Sequence, residues 1–329
     1  MPRQRSSENR RGSIRVPVLV NILADILVTI SMKPRLSPLL LVFLFSVSVL
    51  SQENASPAGP AATAQFSQDQ IRDLIRSAAD KDIENDRKQR NYTYIQREDE
   101  HKLDAKGQVK STESRTYEIM VFYEEPVRKL IARDNKPLSD SDSRKEAEKV
   151  QKIIEKRKNE NEGDRKKRLE RQEKDREDGR KFVKEIADAY TFRYSGTENL
   201  DGRETLIIDA EPRPGYEPQM KEAKFLPKFR FRAWIDQAEK QWVKLDIQCI
   251  DTVSVGLFLL RVHKGSSIQI EQVRVNDEVW LPKHVSLKLD ARLALLKGLN
   301  ISEDVIYSEY RKFRTDTRIL PAGEVQEPR

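Results

Sequence analysis

The sequence predicts an α+β protein built on one long antiparallel sheet, covered by helices and carrying a long charged helical insertion. Three observations predict it. From Arg203 to Phe313, short alternating segments rich in Val, Ile, Leu and aromatic residues follow one another, split by Gly, Pro and Asn-Asp turns, the pattern of an antiparallel meander. An amphipathic segment with helical spacing precedes it, and a stretch almost devoid of apolar residues interrupts it. Successive side chains on a strand point to opposite sides, so parity gives each strand an apolar and a wet face. A single long sheet must then cover its apolar face with helices, close into a barrel, or use that face to hold an apolar ligand.

Composition limits the rest. With 35% charged and 37% hydrophobic residues among 329, the chain has apolar material for one sizeable core, not two. The net charge of +7 suits anionic partners, yet 61 basic residues stand against 54 acidic ones, so the excess is small. Cys249 is the only cysteine, which excludes an intrachain disulfide, a thiolate metal cluster and a CxxC pair.

The N-terminal region reads as targeting. Met32-Lys-Pro-Arg35, the apolar run Leu36 to Leu50, and the small residues Val49 and Ser51 have the three-part layout of a secretory signal peptide over 32–51. An uncleaved membrane anchor is the alternative. Residues 1–31 are read as a non-native upstream extension, because Pro17, Asn21 and Asp25 interrupt their apolar run. Residues 52–65, rich in Ala, Pro, Ser and Gly, form a linker, and the folded domain is expected over 66–318, with a disordered tail at 319–329.

Within the domain, Ser67 and Gln70 make a capping box and Phe66 with Ile71 a hydrophobic staple, so a helix starts there, with Ile71, Leu74, Ile75, Ala78 and Ile83 as its apolar stripe. Tyr92–Arg97, Glu113–Glu124 and Val127–Ala132 read as strands, with Asp104-Ala-Lys-Gly107 supplying the first turn. Between Arg144 and Lys181, 27 of 38 residues are charged, 16 basic and 11 acidic. Acid-first pairs at i,i+4, such as Glu162 with Lys166 and Glu177 with Lys181, favour a solvated helix broken near Gly163. Phe182, Val183, Ile186, Ala187 and Tyr190 would dock its end on the sheet, making 140–190 a helical insertion.

No pattern calls for catalysis, a cofactor or a metal. His101, His263 and His284 lie in different segments, without metal-ligand spacing, and no GxSxG, HExxH or GxGxxG occurs. The insertion interleaves acids with bases and has no aromatic residue before Phe182, which argues against nucleic acid and leaves a solvated face, an anionic membrane surface or an envelope protein as its counterpart. The remaining candidate site is the apolar face of the sheet. Parity assigns to it Phe229, Phe231, Val243, Leu245, Ile247, Leu257, Leu259, Ile268, Ile270, Val285, Leu287 and Leu289, allowing for slips at bulges. These residues form either an ordinary core under the helices or a cavity for an apolar ligand.

Gly202-Arg-Glu204 leading into Leu206-Ile-Ile-Asp209 and Pro212, then Trp234-Ile-Asp236, then Val279-Trp-Leu-Pro282, resembles the outer-membrane lipoprotein-sorting proteins of bacteria over residues 190–315. The resemblance implies a periplasmic half-barrel of antiparallel strands whose concave apolar side, covered by helices, shields an acyl chain, lipid or lipoprotein in transit. The charged insertion lies outside that pattern. The expectation is therefore a non-enzymatic carrier, the alternative a cell-envelope interaction protein with a solid sheet core and a working charged helix.

Overall fold

In the computed structural model, which describes residues 66–123, 125–255, 260–293 and 297–312, the chain is α+β: a large open antiparallel sheet, curved as a half-barrel, with helices over one face. The extension, signal peptide, linker and tail expected at 1–31, 32–51, 52–65 and 319–329 lie outside the described residues, as do residues 313–318 of the domain.

Helix α1 (Gln68–Gln89) begins at the capping box, where Ser67 Oγ accepts from the Gln70 N–H and the Gln70 side chain from the Ser67 N–H. Strands β1 (Tyr92–Leu103), β2 (Val109–Phe122), β3 (Glu125–Arg133) and β4 (Lys136–Pro137) follow. The turn after β1 is tied by Asp104, whose Oδ1 accepts from the N–H groups of Lys106 and Gln108, and it needs Gly107 at φ 79°. The insertion is two helices, α2 (Asp140–Lys158) and α3 (Glu162–Ala189). Their break falls just before Gly163, where Asn161 caps α3 by accepting from the Asp164 N–H. Glu160 holds this corner through Arg157 and Arg168.

The meander continues as β5 (Tyr190–Leu200), β6 (Arg203–Pro212), a 3-10 turn at Glu222–Lys228, β7 (Phe229–Asp236), β8 (Trp242–Cys249), β9 (Val253–Val255), β10 (Leu260–Val262), β11 (Ser267–Val275), β12 (Val279–Leu293) and β13 (Lys297–Lys312). The β5–β6 hairpin closes on Asp201-Gly202, both at positive φ, as a tight Asp-Gly hairpin turn requires. The sheet order is β4-β3-β2-β1-β13-β12-β11-β8-β7-β6-β5, all antiparallel, with β9 and β10 paired beside β12. First and last strands are neighbours, which brings the two ends of the domain together at the middle of the sheet.

The main core lies between this sheet and the helices. Ile71, Ile75 and Ala78 of α1 and Ala187 near the end of α3 meet Phe192, Ile208, Ile235, Leu245, Ile270 and Val285. Fully burying a side chain of Ile or Leu size contributes about 1.5–3 kcal/mol, so this cluster dominates the stability of the domain. Helix α2 packs on β3, with Val150 and Leu130 both buried.

Candidate functional site

Nine of the twelve residues assigned to the apolar face share the concave side of the sheet. Cross-strand register sets them opposite one another: Ala233, Leu245, Ile270 and Val285 form one row, Phe231, Ile247, Ile268 and Leu287 the next, with Phe229 and Leu289 beyond them. Leu245, Ile268, Ile270, Val285, Leu287 and Leu289 are buried; Phe229, Phe231 and Ile247 are half-buried. Leu257 and Leu259 lie outside the described residues.

Val243 is a correction. It lies on the opposite face, in a small convex cluster with Trp234 and Trp280. The cause is a β-bulge: Trp234 pairs with Lys244 and Ile235 with Trp242, so Val243 is the extra residue and the parity of β8 inverts there. Trp242 takes the inward place that parity gave to Val243.

Helix α1 closes the apolar face, and polar bonds fix where it sits. At its start Gln68 Oε1 accepts from the Phe192 N–H at 3.3 Å, and its amide nitrogen donates to the Phe192 carbonyl. At its end Asn85 and Gln89 bond the backbone of Trp280. These groups are free because β13 pairs with β12 only from His284 onward, leaving Val279–Pro282 without a strand on that side. Midway, the buried carboxylate of Asp82 accepts from Trp242 Nε1 at 2.9 Å and Gln241 Nε2 at 3.3 Å. Burial pushes the Asp82 carboxyl up to about 6, against the pull of those two donors.

The concave face changes character beyond β12. There β13, β1, β2 and β3 carry Glu303, Glu98, Glu100, Arg115, Tyr117 and Arg128 on the same side as Leu287, by register. Arg128 pairs with Glu98 and stacks over the Tyr117 ring at 4.1 Å, and Arg115 pairs with Glu113. Burial, then the neighbouring Glu98 and Glu100, raises Glu303 to about 7. Sequence reasoning missed this charged half of the trough. The available signal was parity in β1, where Gln96, Glu98 and Glu100 alternate with residues of the other face.

The convex side carries an ion-pair array. Arg203 bonds Asp236 (Nε to Oδ2 at 2.6 Å) and Glu239, which also accepts from Arg274 and Trp280 Nε1. Asp236 is buried, and although burial alone would raise it, the Arg203 guanidinium and backbone N–H groups hold its carboxyl below the ordinary range. Among the described residues no cluster of His, Cys, Asp and Glu is placed to hold a metal ion, and no helix is long and apolar enough to cross a membrane.

No protein-family model matches the chain, and no curated protein matches it in sequence. Solved structures to which it is similar include an outer membrane lipoprotein-sorting protein domain from Vibrio parahaemolyticus, at 12% identity and TM-score 0.31, covering 73% of this chain and 95% of that one. A DUF1329 family protein from Desulfovibrio piger follows at 11% identity and TM-score 0.26, covering 74% and 95%. A LolA superfamily protein from Nitrosomonas europaea stands at 10% and 0.24, covering 74% and 92%. The assignment of the fold itself rests on the strand order and the helix cover described above.

Proposed function

We propose that this chain is a non-enzymatic carrier of the bacterial periplasm, which shields an acyl chain of a lipid or lipoprotein between the concave sheet and α1. One observation carries the reading: the apolar rows Ala233–Leu245–Ile270–Val285 and Phe231–Ile247–Ile268–Leu287 are continuous across four strands, and the amphipathic helix α1, with the end of α3, covers them. Helix α1 covers this face with few large side chains, chiefly Ile71, Ile75 and the half-buried Leu74. Three such side chains contribute about 5–9 kcal/mol, whereas an acyl chain of ~12 methylenes contributes about 10 kcal/mol at ~0.8 per methylene. A chain of that length therefore matches the large apolar contacts of α1; the polar ties of the helix at Gln68, Asp82 and Asn85 oppose its displacement besides.

Uptake of a fluorescent fatty acid tests this reading. Leu287→Asp puts a charge in the apolar row and abolishes uptake. Uptake that persists in a folded Leu287→Asp protein would remove the concave face as the binding surface.

The closure of that face by α1 favours a second reading, an envelope interaction protein whose core is solid and whose charged helices α2 and α3 meet a protein partner or an anionic membrane. Deleting residues 144–181 separates the two. Loss of membrane or partner association with uptake retained assigns recognition to the helices and leaves the carrier reading intact; an absence of uptake in both proteins leaves the second reading alone.

A further inference from the structure

The sheet splits at a second place. The ladder between β8 and β11 runs only from Gln248 opposite Ser267 to Lys244 opposite Glu271. Beyond Glu271, β11 keeps β12 as partner, from Gln272 opposite Pro282 to Val275 opposite Val279, while β8 continues on β7 through the Val243 bulge. The divergence opens a cleft of about 270 Å³, lined among others by Val243, Lys244, Gln272, Arg274 and Trp280. Gln272 is only 5% exposed, yet neither its Oε1 nor its Nε2 has a hydrogen-bond partner. Buried polar groups are almost always matched, so a buried carboxamide with both ends free needs an account.

The charges around the cleft are already neutralised. Arg203 bonds Asp236 and Glu239, Arg274 bonds Glu239, Lys244 bonds Glu271, and Lys283 bonds Asp201. Neither an anion nor a cation is called for. What Gln272 lacks is a neutral group offering a donor and an acceptor side by side. The molecule contains such a match: at the other split, between β12 and β13, the Asn85 carboxamide pairs with the N–H and C=O of one extended residue, Trp280. There the strand edge is free and a helix supplies the carboxamide. In the cleft between β8 and β11 the carboxamide is present and the extended backbone is missing.

We propose that this cleft binds an extended peptide segment of a partner polypeptide, one residue of which pairs its N–H with Gln272 Oε1 and its C=O with Gln272 Nε2. Among the described residues, β11 from Gln272 to Val275 has no strand on its β8 side, so its edge adds backbone bonding of the kind used in strand addition. Trp280 and Val243 give the occupant an apolar surface. Water fits a cleft of this size too, but a peptide group meets both ends of the carboxamide with one residue.

The test is an NMR titration of the full chain with N-acetyl-trialanine methylamide, with sodium acetate as control. The proposal expects saturable shifts of the Gln272 side-chain NH2 signals and of the Val273 backbone amide with the peptide and not with acetate. It expects binding at least fivefold weaker in Gln272→Leu, whose melting temperature rises because an unmatched amide is gone. Where the Leu variant fails to fold, Gln272→Glu keeps the volume and removes the donor, and it must weaken binding likewise. Signals that do not move, that move equally with acetate, or an affinity unchanged in a folded variant would overturn the proposal.

Discussion

The carboxamide of Asn85 and the backbone of Trp280 form a closed pair: Asn85 Nδ2 donates to the Trp280 carbonyl at 2.6 Å, and the Trp280 N–H donates to Asn85 Oδ1 at 2.8 Å. Both are buried, 195 residues apart, and the pair ties the end of α1 to the strand that β13 has left. The helix that covers the apolar face is therefore placed by a bond that only one geometry satisfies, whereas its apolar contacts tolerate sliding.

Asn85→Ala should destabilise the domain by about 1–3 kcal/mol, since it strands the buried Trp280 N–H while Gln89 still serves the carbonyl. Urea unfolding measures it. Asn85→Asp should be no better, because its carboxylate faces the Trp280 carbonyl where an amide donor stood.

Asp82 makes stability depend on pH with an unusual sign. Its folded value of about 6 lies above the ordinary 3.8, so between about pH 4 and 6 the folded protein holds a proton that the unfolded chain has lost. This contribution to stability falls as pH rises through that window, and the cost above it is at most about 3 kcal/mol. Asp82→Asn, which still accepts from Trp242 and Gln241, should raise stability at pH 7 and flatten the pH 4–6 limb of a thermal-melting profile.

Glu303 adds a second window. Burial and its two glutamate neighbours lift it from 4.5 to about 7, so its contribution falls between those values. Glu303→Gln should leave the pH 4 melting temperature unchanged and raise that at pH 8, separating its effect from that of Asp82.

Two buried valines on opposite faces test the binding surface without introducing a charge. Val285→Thr places a hydroxyl in the concave row and should weaken fatty-acid binding about fivefold or more; Val243→Thr, on the convex side, should leave it unchanged. Fluorescence titration of both variants, each with its stability measured, checks the pair.

Much of this architecture was legible in the sequence because it rests on local rules. The capping box at Ser67 and Gln70, the turn at Asp104 to Gly107 and the apolar alternation of β8 and β12 each follow from side chains a few residues apart. The break between α2 and α3 showed in the Asn-Glu-Asn-Glu-Gly run before Asp164. What parity could not supply was where it inverts. The bulge at Val243 depends on how β7 meets β8, a long-range relation with no mark in either strand alone. The charged half of the trough was hidden for a similar reason: Glu98 and Glu303 become half-buried only because β1 and β13, over 200 residues apart, lie side by side.

Native mass spectrometry of the protein purified from a bacterial periplasm, with solvent extraction of whatever travels with it, tests the carrier reading most directly. The account predicts a reproducible lipid or acylated adduct, released when the protein unfolds. Protein that arrives bare and stays bare after incubation with lipids would contradict it.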